Sequence, residues 1–141
     1  MRQTTIHILM KSKYLSICPC GLGSYAQCCK PYHDGENAPD AEKLMRSRYS
    51  AYVLKNEAYL LKTWHSSTRP TDALFQNSEH QQWLELKVKQ WKIGENQKTA
   101  QVEFIAIYKI NEKAYRLHEI SDFVLENGQW FYVDGQFPDI K

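Results

Sequence analysis

Residues 99–134 read TAQVEFIAIYKINEKAYRLHEISDFVLENGQWFYVD, and their period is two. Val102, Phe104, Ala106 and Tyr108 fall on one face of a strand over 99–109. Over 114–125, Tyr115, Leu117, Glu119, Ser121, Phe123 and Leu125 alternate against Arg116, His118, Ile120, Asp122 and Val124. Such alternation, rich in aromatic and β-branched residues, marks half-buried strands. Asn127-Gly128 supplies the left-handed residues of a two-residue hairpin turn, with 129–134 as the return strand. Upstream, 84–91 reads as one further strand.

Ahead of the strands the period is helical. Pro39-Asp40-Ala41-Glu42 is a helix start, with Asp40 as N-cap and Glu42 in the first turn. Leu44, Met45, Arg48, Tyr49, Ala51, Tyr52 and Val53 then recur at helical spacing up to about 55–56. A shorter helix fits 57–64. The segment 66–78, with Pro70, is a loop holding one more helical turn around 72–75, and 78–83 fits another short helix. Helices first and antiparallel strands after them give an α+β fold. A curved sheet wrapped around the long helix is the way to bury a chain with nine Tyr and four Trp.

At 141 residues there is room for one domain and a small appendage. The net charge of +2 argues for neither a nucleic acid nor an anionic membrane as partner. No stretch approaches the ~20 apolar residues of a membrane span. The segment before Met10, itself an alternative start of translation, has neither the apolar run nor the cleavage site of a signal peptide.

All four cysteines, Cys18, Cys20, Cys28 and Cys29, lie within twelve residues. A disulfide framework staples distant segments, and bridging either close pair is strained. A bridge between the pairs is open to an oxidised form; a reducing cytoplasm with a bound metal is the simpler reading. Two close thiolate pairs on a Gly-containing loop can converge on one tetrahedral ion, and soft thiolates favour zinc. Four sulfurs close the shell, so the expected role is structural. His33 is a substitute ligand ranked below Cys29. The chain thus divides into a lead (1–16, expected to be flexible), a zinc knuckle (17–38) and an α+β domain (39–141).

Cys18-Pro19-Cys20-Gly21, followed by Tyr25 and Cys28-Cys29, resembles the SEC-C motif known at the C-terminus of the SecA translocase ATPase. That resemblance implies zinc and contact with a protein partner. Seven residues, 21–27, separate the second and third cysteines here, where the usual pattern has eight. The likeness extends along the chain. Leu44-Met45-Arg46-Ser47-Arg48-Tyr49-Ser50-Ala51-Tyr52, Tyr59-Leu60, Thr63-Trp64-His65, Glu119-x-Ser121-x-Phe123 and Asn127-Gly128-Gln129-Trp130-x-Tyr132-x-Asp134-Gly135 resemble the YchJ family over about 17–138. This implies a nuclear-transport-factor-2-like, cystatin-like cone over 39–141, with pairing of two copies through their sheets. It implies no activity.

In such a cone the long helix and the concave sheet face enclose a pocket. Its candidate ligand-binding residues are Arg46, Tyr49, Tyr52, Trp64, His65, Glu119 and Asp134. Tyr49 and Tyr52 share a side of the helix. Glu119 lies among apolar neighbours, so it must be paired or protonated, with Arg46 and Arg48 as candidate partners. A structural Arg–Glu pair under an aromatic lid competes with a ligand-binding or catalytic carboxylate. A lone His after a helix, as at His65, is more often a cap or a surface residue than a site residue. Asp134 could reach the mouth or simply turn the chain before Gly135. His118 alternates out of phase with Glu119, so the two form no dyad.

Three functions follow. The first is a binding or adaptor module, with a protein partner at the knuckle and a small ligand in the cone. The second is a small isomerase- or hydrolase-type enzyme using Glu119, His65 or Asp134 as acid and base, with Tyr49 as a hydrogen-bond donor; it rests on fold analogy alone. The third, nucleic-acid binding by Lys11, Lys13 and Lys30, is opposed by the weak net charge.

Overall fold

The computed structural model describes residues 17–75 and 81–138; the expected lead, 1–16, lies outside the described residues. A 3-10 turn over Tyr25–Gln27 and a helix α1 over Lys30–His33 come first. Helix α2 spans Ala41–Leu54 and α3 spans Glu57–Lys62. Strands β1 (Gln81–Ile93), β2 (Thr99–Ile110), β3 (Lys113–Glu126) and β4 (Gln129–Gln136) follow. They form one antiparallel sheet in the order β1-β2-β3-β4. The architecture is α+β, with two corrections. Gln81, Gln82 and Trp83 open β1 instead of closing a helix, and 71–75 form bends and a turn.

Local chemistry sets the element ends. Asp40 Oδ1 accepts the Lys43 N–H at 2.8 Å, capping α2. Lys55 takes a left-handed φ of 57°, and the Asn56 N–H reaches back to Ala51 O at 2.8 Å. Asn127 and Gly128, at φ 52° and 78°, make the hairpin turn between β3 and β4.

Three bulges bend the sheet. The register of β1 against β2 skips at Leu84 and Lys89, and that of β4 against β3 skips at Val133. An extra residue in one strand bends it and increases its twist, and here the sheet curls over α2. Val102, Phe104, Ala106 and Phe123 from the sheet pack with Leu44, Met45 and Leu60 from the helices. Each fully buried Leu, Val or Phe among them contributes about 1.5–3 kcal/mol. The outer edge of β4 is covered by the chain leaving α3: the Tyr132 N–H donates to Thr63 O at 2.9 Å, and the His65 N–H to Tyr132 O at 2.7 Å.

Helix α2 is buried almost all round, including Ser47, Arg48 and Ser50. The sheet takes one side. Residues 17–38 and α3 take the other, and Cys18, Cys20 and Cys29 belong to the same buried cluster as Leu44 and Met45.

Candidate metal centre and cone cavity

Cys18 and Cys20 sit on a loop closed by two hydrogen bonds, Cys18 N–H to Gly23 O at 2.8 Å and Gly21 N–H to Cys18 O at 2.9 Å. Gly21 and Gly23 take φ of 92° and 70°, a conformation a side chain would strain. Cys28 ends the 3-10 turn and Cys29 begins α1. The four Sγ atoms lie within 4.8 Å of one another, with Cys20–Cys28 at 3.5 Å and Cys28–Cys29 at 3.9 Å. A tetrahedral ion with metal–sulfur bonds of about 2.3 Å has sulfur–sulfur edges of about 3.8 Å. The shortened loop therefore still presents a cluster of the right size.

All four cysteines are free thiols, and Cys18, Cys20 and Cys29 are buried. Sulfurs packed this closely out of water cannot all ionise without a cation among them. Burial, reinforced by Cys20, pushes the Cys28 thiol up to about 12. Hydrogen bonding with Cys18 and Cys20 holds Cys29 far above the usual thiol range, while the contacts with Cys20 and Cys29 pull Cys18 down. The donor set and its spacing fit one soft, tetrahedral metal ion.

The long helix supplies the surroundings of this cluster. Ser50 Oγ lies 3.3 Å from Cys29 Sγ and 3.4 Å from Cys18 Sγ. Arg46 Nη1 donates to Cys20 O at 3.3 Å, and its Nε pairs with Glu42 at 2.8 Å. His33 is a latch and no ligand. Its Nε2 lies 2.8 Å from Ser47 O, so it must carry the proton there, and its Nδ1 accepts from Tyr25 OH at 2.7 Å. Its ring also packs against Tyr59, with centroids 4.7 Å apart.

On the opposite side of α2, a cavity of about 70 Å³ separates the helix from the inner sheet face. Its walls include the rings of Tyr49, Tyr52, Trp83 and Tyr132 and the polar groups of Arg48, Glu119 and Ser121. Glu119 Oε2 accepts from Ser121 Oγ at 2.7 Å and from Tyr132 OH at 3.1 Å. Burial raises the Glu119 carboxyl above its usual range, against the pull of those hydroxyls and of Arg48. Arg48 Nη1 donates to Leu60 O at 2.8 Å and to Thr63 Oγ1 at 2.7 Å. Its guanidinium carbon stands 4.9 Å from the Trp64 ring centroid and 4.5 Å from that of Tyr132. The expected Arg–Glu pair is not formed: among the described residues neither Arg46 nor Arg48 makes an ion pair with Glu119. Burial also raises the Tyr52 phenol, with Arg48 opposing it.

Of the residues singled out from the sequence, Tyr49, Tyr52 and Glu119 meet at this cavity, and Arg46, Trp64, His65 and Asp134 do not line it. Arg46 turns from α2 toward the knuckle, where it donates to Cys20 O. Trp64 meets Tyr132 edge-to-face and lies beside the Arg48 guanidinium, and among the described residues its buried Nε1 has no hydrogen-bond partner. His65 lies outside, between Ser67 Oγ at 2.7 Å and Glu126 Oε2 at 2.6 Å. Asp134 is exposed, because the bulge at Val133 sets it opposite the outward Asp122 and leaves Gly135 opposite the inward Ser121. Gly135 has a steric role there: a Cβ would stand 2.2 Å from Glu119 Oε2. His118 pairs with Glu103 at 2.7 Å, and Lys30 with Asp34 at 2.6 Å. Lys11 and Lys13 lie outside the described residues. From the sequence Arg48 is named only as a candidate partner of Glu119 and Ser121 only as sharing its strand face; both line the cavity, and Tyr132, not placed in the site from the sequence, lines it too. Nothing in the spacing flags Ser50.

A family model described as YchJ, middle NTF2-like domain, matches residues 40–135. A UPF0225 protein of Ralstonia nicotianae is 48% identical, over 84% of this chain and 89% of its own length. Among solved structures, a SEC-C motif containing protein from Rhodopseudomonas palustris is 31% identical with a TM-score of 0.75, over 85% of this chain and 97% of that one. Another from Psychrobacter arcticus is 32% identical with a TM-score of 0.75, over 86% of this chain and 83% of that one.

Proposed function

This chain belongs to the YchJ family, and on that premise we propose that it is a binding protein in two joined parts, a knuckle held by one structural zinc ion and a cone whose cavity receives a small ligand. The observation that carries the reading is the cluster of four sulfurs within 4.8 Å. Four thiolates on a tetrahedral ion leave no position for water or substrate, which separates structural zinc from catalytic zinc. Thiolates select zinc over the hard cations. Beside the cluster, Leu22 and Ile17 are 41% and 69% exposed, an apolar surface suited to a protein partner. Metal analysis of protein purified under reducing conditions tests the knuckle. One zinc per chain, with thiols reactive only after chelation, is expected; no metal and four freely reactive thiols would overturn it.

Acid–base catalysis in the cone is the second reading, favoured by the raised carboxyl of Glu119 in an unfilled cavity. His65 and Asp134 lie outside that cavity, so Glu119 has no second acid or base beside it among the three named. Binding therefore takes precedence over turnover.

A further inference from the structure

The cavity holds two opposite charges that do not touch. Arg48 and Glu119 are 5% and 8% exposed and line the same space, yet no ion pair joins them. A charge removed from water is costly unless it is paired. The groups in contact with Arg48 are neutral: the Leu60 carbonyl, the Thr63 and Tyr52 hydroxyls and two aromatic rings; Glu119 acts on it only across the cavity. The two short hydrogen bonds of Arg48 both leave Nη1. Among the described residues both hydrogen bonds to Glu119 fall on Oε2, and Oε1 accepts none.

The cavity therefore offers a guanidinium and a carboxylate whose charges sum to zero. A lone anion matches one and leaves a net buried charge; so does a lone cation. A molecule with a carboxylate at one end and an ammonium at the other matches both through charge-assisted hydrogen bonds. The surrounding rings suit the ammonium end as well. The cavity of about 70 Å³, against the roughly 10–15 Å³ that one water needs, admits a molecule of a few non-hydrogen atoms. We propose that the cone cavity binds a small α-amino acid as its zwitterion. This rests on the reading of the cone as a ligand site and narrows it to one chemical class.

The test is titration of the full chain with glycine, acetate, methylammonium and acetamide, followed through the amide signals of Glu119 and Ser121 and the indole signal of Trp83. Glycine is expected to shift these signals saturably, with the other three weaker by about tenfold or more. Glu119→Gln should weaken glycine by about 10- to 100-fold and leave acetate unchanged. Acetate binding as tightly as glycine would make this an anion site, and acetamide doing so would remove the need for charge; either overturns the proposal. If another small fragment moves the cavity signals and glycine does not, the ligand class falls and the cavity reading stands. If nothing binds, both fall.

Discussion

Ser50 has one hydroxyl proton and two sulfur neighbours, Cys29 Sγ at 3.3 Å and Cys18 Sγ at 3.4 Å. A hydroxyl donating to metal-bound thiolates fixes their orientation from outside the coordination shell. Ser50→Ala should keep one metal per chain and weaken its affinity by about 10- to 100-fold, read by competition with a chromophoric chelator. Unchanged affinity would mean the hydroxyl only fills space. Glu119 sets a pH dependence. Burial raises its carboxyl above the ordinary 4.5 in the folded chain, so the folded state holds this proton more tightly than the unfolded one. Its contribution is most favourable below 4.5 and is lost as pH rises through the raised folded value. Comparing urea unfolding of the native protein and Glu119→Gln from below 4.5 to neutrality, the balance should shift toward the variant as pH rises. A flat difference would refute the raised carboxyl. The cysteine cluster was legible in the sequence because close spacing alone forces those residues together, and Glu119 because its strand alternates cleanly. A serine on a helix carries no such signal, and Ser50 acquires its role only when the knuckle docks.

At the scale of elements, the long helix and all four strands were legible, and the bulges hid only where β1 begins and which way Asp134 faces. Helix α2 shows its N-cap and its period, and β2 and β3 alternate without a break. In β1 the extra residues Leu84 and Lys89 disturb the period of two, and the residues ahead of Leu84 lose their strand pattern. The bulge at Val133 likewise defeats a simple count from Trp130 and Tyr132: Asp134 moves outward and Gly135 inward. That shift has an energetic consequence. A Cβ on residue 135 would stand 2.2 Å from Glu119 Oε2 and 2.5 Å from its carboxyl carbon, so Gly135→Ala must displace the buried carboxylate or the strand. A loss of about 1–3 kcal/mol in chemical denaturation is expected. In a Glu119→Ala background the same substitution should cost much less, since the obstructing atoms are gone; equal costs in both backgrounds would point to the backbone instead.

At the scale of the whole molecule, the knuckle and the cone share one helix. Its Ser47 carbonyl receives His33, its Ser50 faces two cysteines, and its Arg46 reaches the Cys20 carbonyl. From the same helix Arg48, Tyr49 and Tyr52 look into the cavity on the other side. A metal bound by the four cysteines would hold residues 17–38 in place and, with them, the outer wall of the cone, and its binding free energy would add to the stability of the whole. That contribution is about 4 kcal/mol when free metal exceeds its dissociation constant a thousandfold. The tryptophans make this measurable, because Trp64, Trp83, Trp91 and Trp130 all lie in the cone and none in the knuckle. Their fluorescence therefore reports on the cone alone. With metal bound, tryptophan fluorescence and thiol accessibility should follow a single denaturation curve. Chelation should move the tryptophan curve to lower denaturant, although no tryptophan lies in the knuckle. If chelation freed the thiols and left the tryptophan transition where it was, the knuckle would be an independent appendage, and the hydrogen bonds from His33, Ser50 and Arg46 would contribute little to the cone.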